Sequence, residues 1–419
     1  MPFYHKLGQL PHKRHTQFRK PDGGLYREEV MGLEGFSSLE SILYHNFLPP
    51  RVKQLEDLGS RLPETVDFGP IRHRAFRTAD APLGTDPVSA RIPLLANRDV
   101  ILGVSRASHS MEYFYRNAQA YETWWVHEGS GTLKSQFGNL KFHKGDYIVI
   151  PFGTTWQMHL ESEEVRFFTI ENPSQIEPPK RYRNEFGQML EHAPYSERDI
   201  RLPDELETHT ERGEFEVRIK VRDRLSKHIL DYHPFDVVGW DGYLYPWIFN
   251  IEDFEPITGR VHQPPPVHQT FQAHNFVVCS FVPRLFDYHP ESIPAPYNHS
   301  NVNSDEIIYY AEGDFMSRKG IDRCDISMHP YGLAHGPQPG MTEASIGKKE
   351  TKELAVMVDT FYPLNLTSQA LEYEKPEYMS TWLEEAESKK HLSKTQSSSY
   401  TIEENQTASK VARRFAENK

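Results

Sequence analysis

The sequence has little cysteine, no long apolar run and no excess of basic charge, and each shortage excludes a class of protein. Its only two cysteines, Cys279 and Cys324, each fall within an apolar or ligand-bearing stretch. That is too few for a disulfide framework and points to a reducing, cytoplasmic compartment. No stretch approaches the roughly 20 consecutive apolar residues that cross a bilayer, so no membrane partner is expected. The opening MPFYHKLGQLPHKRHTQFRK is basic and broken by proline, without the apolar segment of a signal peptide. A formal net charge of −12 opposes nucleic-acid binding, which rests on neutralising phosphates with Lys and Arg. Long helical patterns are scarce as well. With 31 prolines, 25 glycines and 12% aromatic residues, the composition favours short strands and many turns, hence a mainly β plan.

The chain is long enough, at 419 residues, for two or three domains. Residues 1–97 are rich in His, Arg, Pro and Gly and read as an irregular collar, with helices expected over Ser37–Phe47 and Arg51–Leu58. The histidines at 5, 12, 15 and 45 form no ligand-like cluster. From Asp99 the pattern changes to alternation, and strands are expected at Val100–Val104, Ala120–His127, Gly131–Gln136, Asp146–Pro151 and Val165–Glu171. After a charged and Pro-rich connection containing a strand at Glu214–Val221, further strands are expected at Asn275–Val282, Glu306–Ala311, Ile326–His329 and Ala355–Asp359, with a turn at Pro363–Asn365. Beyond Ser368 the pattern is helical, with Pro376 suited to a helix start. The Ser-rich segment from 386 to 419 reads as a polar tail, in which VARRFA could form a short helix.

The densest set of potential metal ligands lies in 296–340, from PYNHSNVNSDEIIYYAEGDF to SMHPYGLAHGPQPG. Two imidazoles, His299 and His335, with one carboxylate, Glu306, form the ligand set that holds non-haem Fe(II) and leaves positions open. Adjacent strand residues face opposite ways, so Asp305 and Glu306 cannot both ligate. Glu306 precedes Gly313 by E-x6-G, and Pro330, Gly332 and His335 read P-x-G-x-x-H. The frame recurs about 180 residues earlier, with Glu122, Gly129, Pro151 and Gly153, but Tyr115 and Trp156 stand where histidines would be needed.

These paired spacings resemble the two motifs of the cupin superfamily of small β-barrels. The resemblance implies a bicupin: an N-terminal domain over 1–272 whose degenerate, metal-free barrel has its core at about 98–173, a C-terminal catalytic cupin over 273–385 ending in helices, and the tail 386–419. Asn301 stands where many cupins have another His, which favours a one-carboxylate ligand set. A narrower resemblance covers residues 1 to about 385. PYNHSN with a carboxylate soon after, SMHPYGLAHGP, a His some 37 residues before the first ligand and the opening FYHKLGQLPHKRHTQF together resemble the homogentisate 1,2-dioxygenases. That family implies an Fe(II) enzyme that cleaves the ring of a small aromatic acid with O2 in tyrosine and phenylalanine breakdown, assembled as a trimer or hexamer.

Carried over by position, His299, Glu306 and His335 would hold the iron. His262 would be the acid/base near the substrate hydroxyl, and His329, His335 and Phe315 would line the substrate site. The family places Glu six residues after the first His, where this chain has Asp305, and Tyr nine after the Glu, where it has Phe315. A substrate carboxylate needs a cation, for which Arg284, Arg318 and Lys319 are candidates. The competing expectations are a cupin dioxygenase acting on another hydroxylated aromatic acid, such as a gentisate-like one, and a non-catalytic bicupin binding protein.

Overall fold

The computed structural model describes residues 3–383 apart from 314, 316 and 317; the polar tail and its VARRFA segment lie outside the described residues. Strands dominate. The described residues contain one α-helix, Met341–Ser345, and no helix among them is long and apolar enough to cross a membrane.

The alternating block after Asp99 forms two sheets that share a core. Tyr121–Glu128, Asp146–Ile150, Val165–Asn172 and Ile101–Ala107 lie in an eight-stranded sheet. Phe114–Asn117, Gly131–Ser135, Gly138–Phe142 and Thr155–Leu160 lie in a seven-stranded one. Side chains of alternate parity meet between them, among them Trp124, Ile148 and Phe167 from the first sheet and Tyr115, Leu133 and Trp156 from the second. The residues of opposite parity, Trp125, Tyr147 and Phe168, face a third layer. That layer is a six-stranded sheet built from Gln269–Ala273, Phe276–Phe281, Leu354–Thr360, Asp305–Glu312, Asp325–His329 and Arg74–Arg77. It contributes Phe271, Ile307, Tyr309 and Val356 to the shared core. Hydrogen bonds cross this junction, His127 Nδ1 to the Tyr309 hydroxyl at 2.6 Å and Tyr147 to Ser280 at 2.9 Å. The middle sheet is therefore buried on both faces, which explains why all eight residues of Val165–Asn172 are buried. The outer face of the third layer, with Cys279, Ile308, Tyr310, Phe315 and Met357, is left to line a cavity.

The halves are interlaced. Arg74–Arg77, from the N-terminal collar, pairs with Asp325–Met328 at the edge of the six-stranded sheet. Asn365–Leu366, expected as a turn, pairs instead with Leu95–Ala96 of the eight-stranded one. The collar itself is sheet. The helix expected over Ser37–Phe47 is a strand, Glu40–His45, held between Arg27–Gly32 and Val237–Gly242. The helix expected over Arg51–Leu58 is the edge strand Gln54–Ser60, paired with Arg224–Tyr232. Local helical spacing loses here to distant partners that supply a full ladder of hydrogen bonds. Beyond Ser368 the helical pattern is realised as two five-residue 3-10 segments, Gln369–Tyr373 and Tyr378–Trp382, on either side of Pro376.

In the first block Glu122 occupies the frame position of Glu306, and a guanidinium meets it. Arg91 donates to Glu122 Oε1 at 2.8 Å and to Glu171 Oε2 at 2.9 Å, and lies over the Trp124 ring at 4.4 Å. Lys220 pairs with Glu171, so two carboxylates are balanced by two cations in a buried cluster. Tyr115 and Trp156 pack edge to face at 5.3 Å beside it. Removing one member of a buried ion group strands the others. Arg91→Met is therefore expected to cost roughly 3–5 kcal/mol of stability, read as a lower urea midpoint, with the metal content of the second block unchanged.

Candidate metal centre

The strand Asp305–Glu312 settles which of two adjacent carboxylates faces the site. Ile307, Tyr309 and Ala311 lie in the interlayer core, while Ile308 and Tyr310 lie on the cavity side. Glu306 shares their parity. Asp305 takes the opposite face, where its two oxygens accept from the backbone N–H groups of Tyr331 at 2.8 Å and Leu364 at 2.7 Å. It is a brace for two loops. The strand ends at Gly313, whose φ of +101° and a carbonyl 2.5 Å from where a Cβ would sit admit no side chain. His299 and His335 come from a two-stranded ribbon, His299–Ser300 with Ala334–His335, in which they are register partners. Cross-strand partners project to one side, and these two rings stand 4.2 Å apart.

The three side chains converge on one point. His299 Nε2 is 3.2 Å and His335 Nε2 3.3 Å from Glu306 Oε2, and one ligand atom of each residue lies within 4.8 Å of the others. Among the described residues this is the one group of three or more such side chains able to hold a metal ion. Each imidazole sets its other nitrogen against a backbone carbonyl, His299 Nδ1 to Tyr297 at 3.4 Å and His335 Nδ1 to Leu333 at 3.1 Å. With Nδ1–H donating there, each Nε2 is turned to a carboxylate oxygen, where it can carry a proton toward Glu306 or bind a metal. His335 Nε2 is buried without a hydrogen-bond partner of its own. Two imidazole nitrogens and one carboxylate oxygen close enough to share an ion fit a divalent metal with open positions.

Burial alone would raise the Glu306 carboxyl, but the hydrogen bonds with His299 and His329 and the close approach of His335 outweigh it and hold the group well below the usual carboxylate range. The same contact raises His299 above the ordinary histidine value, against burial. His329 lies behind the carboxylate. Its Nδ1 is 2.8 Å from Glu306 Oε1, its Nε2 3.1 Å from the Tyr378 hydroxyl, and burial pushes it down to about 3. A neutral His329 must then donate from Nδ1 and accept from Tyr378 at Nε2, which leaves Oε2 free to face the metal position. His73, from the collar, and Trp382 pack around these rings, His73 at 5.4 Å from His329 and 5.1 Å from Trp382. Arg318 is buried, donates to the Gly336 carbonyl and the Tyr310 hydroxyl, and stands 3.9 Å from Glu306 Oε1.

A cavity of about 620 Å³ opens onto this centre, with Val277, Phe281, Ile308, Phe315 and Met357 in its wall. The structure separates the other residues expected at the site. His262 lines the rim, exposed, with Nδ1 3.4 Å from Asp287 Oδ2 and its ring 5.2 Å from that of Tyr297. It does not join the cluster of ligands. His329 and His335 are not in the cavity wall, and Phe315 is. Of the three cations considered for a carboxylate, Lys319 is tied to the Pro339 carbonyl at 2.8 Å, Arg318 is committed to the centre, and Arg284 lies in the cavity wall beside Glu353 at 2.8 Å. Two groups in contact with the centre or its wall carry no local motif. Tyr378 arrives from the C-terminal 3-10 segment. Asp359, register partner of Glu306, is pushed up to about 8 by burial and then by the Glu306 charge; strand parity over Leu354–Thr360 is the only sequence signal for it.

A family model described as the homogentisate 1,2-dioxygenase N-terminal region matches residues 96–251. A protein of Saccharolobus solfataricus named "Putative dioxygenase" is 45% identical over 385 residues, covering 91% of this chain and 99% of its own. The homogentisate 1,2-dioxygenases of Pseudomonas entomophila and Pseudomonas putida are 25% and 24% identical, each over 90% of this chain and 92% of theirs. A cupin 2 conserved barrel domain protein from Leptotrichia buccalis is 7% identical over 70% of this chain and 98% of its own, with a TM-score of 0.33, too low to define a shared topology.

Groups that orient metal ligands typically contribute 10- to 100-fold in metal affinity. His329→Phe, which keeps the ring volume and removes the Nδ1 donor, is expected to weaken metal binding by about that factor. Titration of the metal-free protein with Co(II), followed by its visible bands, measures the change.

Proposed function

The chain belongs to the homogentisate 1,2-dioxygenase family, and from that premise we propose that it is an iron(II)-dependent enzyme opening the ring of homogentisate with both atoms of O2. The product would be maleylacetoacetate, in tyrosine and phenylalanine catabolism. The observation that carries this reading is the convergence of His299 Nε2, His335 Nε2 and Glu306 Oε2 at the edge of an apolar cavity large enough for one aromatic acid. These three residues would hold Fe(II), which supplies Lewis acidity toward a phenolic hydroxyl and a redox link between ring and O2.

The chain's own residues do the rest. His329, fixed by Tyr378, holds the Glu306 carboxylate in one orientation. Phe315, packed edge to face on Tyr310 at 4.8 Å, gives the ring an apolar wall and keeps water from it. His262 keeps Nδ1 3.4 Å from Asp287 Oδ2, which leaves Nε2 for the substrate. At the exposed rim, that nitrogen would accept a proton from the substrate side and release it to solvent. Arg284 is the cation best placed to meet the substrate carboxylate, in competition with Glu353. Phe315, which has no hydroxyl where the family carries one, favours a second reading in which the preferred acid is a related dihydroxyphenyl compound.

Iron-loaded protein is expected to consume one O2 per homogentisate and form a product absorbing in the near ultraviolet. His335→Ala removes one of three donors and is expected to lower iron affinity and O2 uptake on the order of a hundredfold or more. Absence of O2 uptake by a fully iron-loaded sample, across a panel of dihydroxyaromatic acids, would overturn the reading. Preference within the panel separates homogentisate from its relatives.

A further inference from the structure

The sheet that carries Glu306 floors the cavity with three adjacent strands, and register sorts their cavity-side residues into rows. Glu306, Asp359 and Val277 form the first row. Ile308, Met357 and Cys279 form the second, and Tyr310, Ala355 and Phe281 the third. All of them line the cavity. Neighbouring strands lie about 4.8 Å apart and residues of one face repeat about every 6.8 Å, so the backbone positions of Glu306 and Phe281, at opposite corners, are roughly 15 Å apart.

The two corners are polar and the floor between them is not. At the first, Glu306 and Asp359 stand side by side; Arg318 is near, but it already donates to the Gly336 carbonyl and the Tyr310 hydroxyl. Ile308, Met357, Cys279 and Ala355 follow. At the far corner Arg284 lies 5.7 Å from the centre of the Phe281 ring and donates to the Val282 carbonyl at 3.0 Å and to Glu353 at 2.8 Å. A guanidinium carries five N–H groups, so these two bonds leave donors for a ligand. His268 closes that end, its ring 4.8 Å from that of Phe281 and its Nδ1 buried without a hydrogen-bond partner. Homogentisate bears its acid on a single methylene next to a ring hydroxyl. Held by a hydroxyl at the metal, it keeps its carboxylate over the near half of the floor. The cavity, at about 620 Å³, has the size that takes a much larger ligand.

We infer that the site prefers ring acids whose arm is longer than acetate, with the ring at the Glu306 corner, an apolar arm over Ile308, Met357 and Ala355, and the terminal carboxylate on Arg284. The inference rests on the ring-cleavage reading for the chemistry at the metal and sharpens which acid that chemistry serves. Each methylene laid on the floor contributes about fourfold in affinity. The carboxylate shares the guanidinium with Glu353, as Glu122 and Glu171 share Arg91.

The test is calorimetric titration without O2 of the iron-loaded protein with homogentisate and with the propanoate, pentanoate and heptanoate that carry the same 2,5-dihydroxyphenyl ring. The pentanoate or the heptanoate is expected to bind about tenfold or more tighter than homogentisate. Ala355→Leu, which fills the third row, and Arg284→Met, which removes the far cation, are each expected to cut that ratio to about two. Arg284→Lys keeps the charge and should restore part of it, which separates a lost contact from a lost fold. A series that is flat or falls with arm length in wild type overturns the subsite, as does a ratio that survives either variant. Length-dependent binding by a protein that consumes no O2 with any of these acids overturns the ring-cleavage reading and leaves the subsite standing; O2 uptake without length dependence does the reverse.

Discussion

The structure depends on a single carboxylate with too many claims on it. Glu306 is met by two imidazole nitrogens at Oε2 and by an N–H donor at Oε1. In water such a group would be unremarkable; buried, it is ionised only because its neighbours hold it so. Each neighbour is then fixed by something else: His299 and His335 by backbone carbonyls of their own loops, His329 by Tyr378. The arrangement is rigid because every ring has one nitrogen occupied away from the centre, and it is incomplete as a set of neutral donors because His335 Nε2 has no partner. A divalent cation satisfies both conditions.

The two blocks of the chain surround the same frame carboxylate with different partners. In the first, Glu122 stands at the frame position of Glu306, and the Arg91 guanidinium bridges it to Glu171 and lies over Trp124. A guanidinium is planar, permanently charged and well matched to two carboxylates, so the buried charge is satisfied from within the fold. In the second, Arg318 stands 3.9 Å from Glu306 Oε1, and Oε2 faces the two imidazoles. The first block becomes the middle of the molecule, its eight-stranded sheet covered on both faces. The second presents its outer face to the cavity.

The cavity wall divides by chemistry in the same way. Aliphatic and aromatic groups such as Ile308, Phe315 and Met357 stand in the wall, together with polar groups that include Glu306, Arg318, Asp359, Arg284 and His262. Such a surface holds an aromatic ring without directing it.

Much of this was legible in the residues alone. Strand parity and the E-x6-G and P-x-G-x-x-H spacings single out His299, Glu306 and His335, because period two and a turn that needs Gly313 leave few ways to arrange them. The strands at Gly131–Ser135, Asp146–Ile150 and Phe276–Phe281 lie close to where alternation puts them. Other features depend on partners far away in sequence. Glu40–His45 has a helix-compatible pattern and becomes a strand because Arg27–Gly32 and Val237–Gly242 flank it. His329 reads as a residue of the substrate wall until Tyr378, 49 positions later, claims its Nε2. Asp359 is one more polar residue at a strand end until register sets it beside Glu306. The sequence by itself determined the ligand types, their spacing and the β plan, since these follow from local geometry. Only the tertiary structure decided which polar groups meet, because contacts between strands hundreds of residues apart are set by packing and register, which no local pattern encodes.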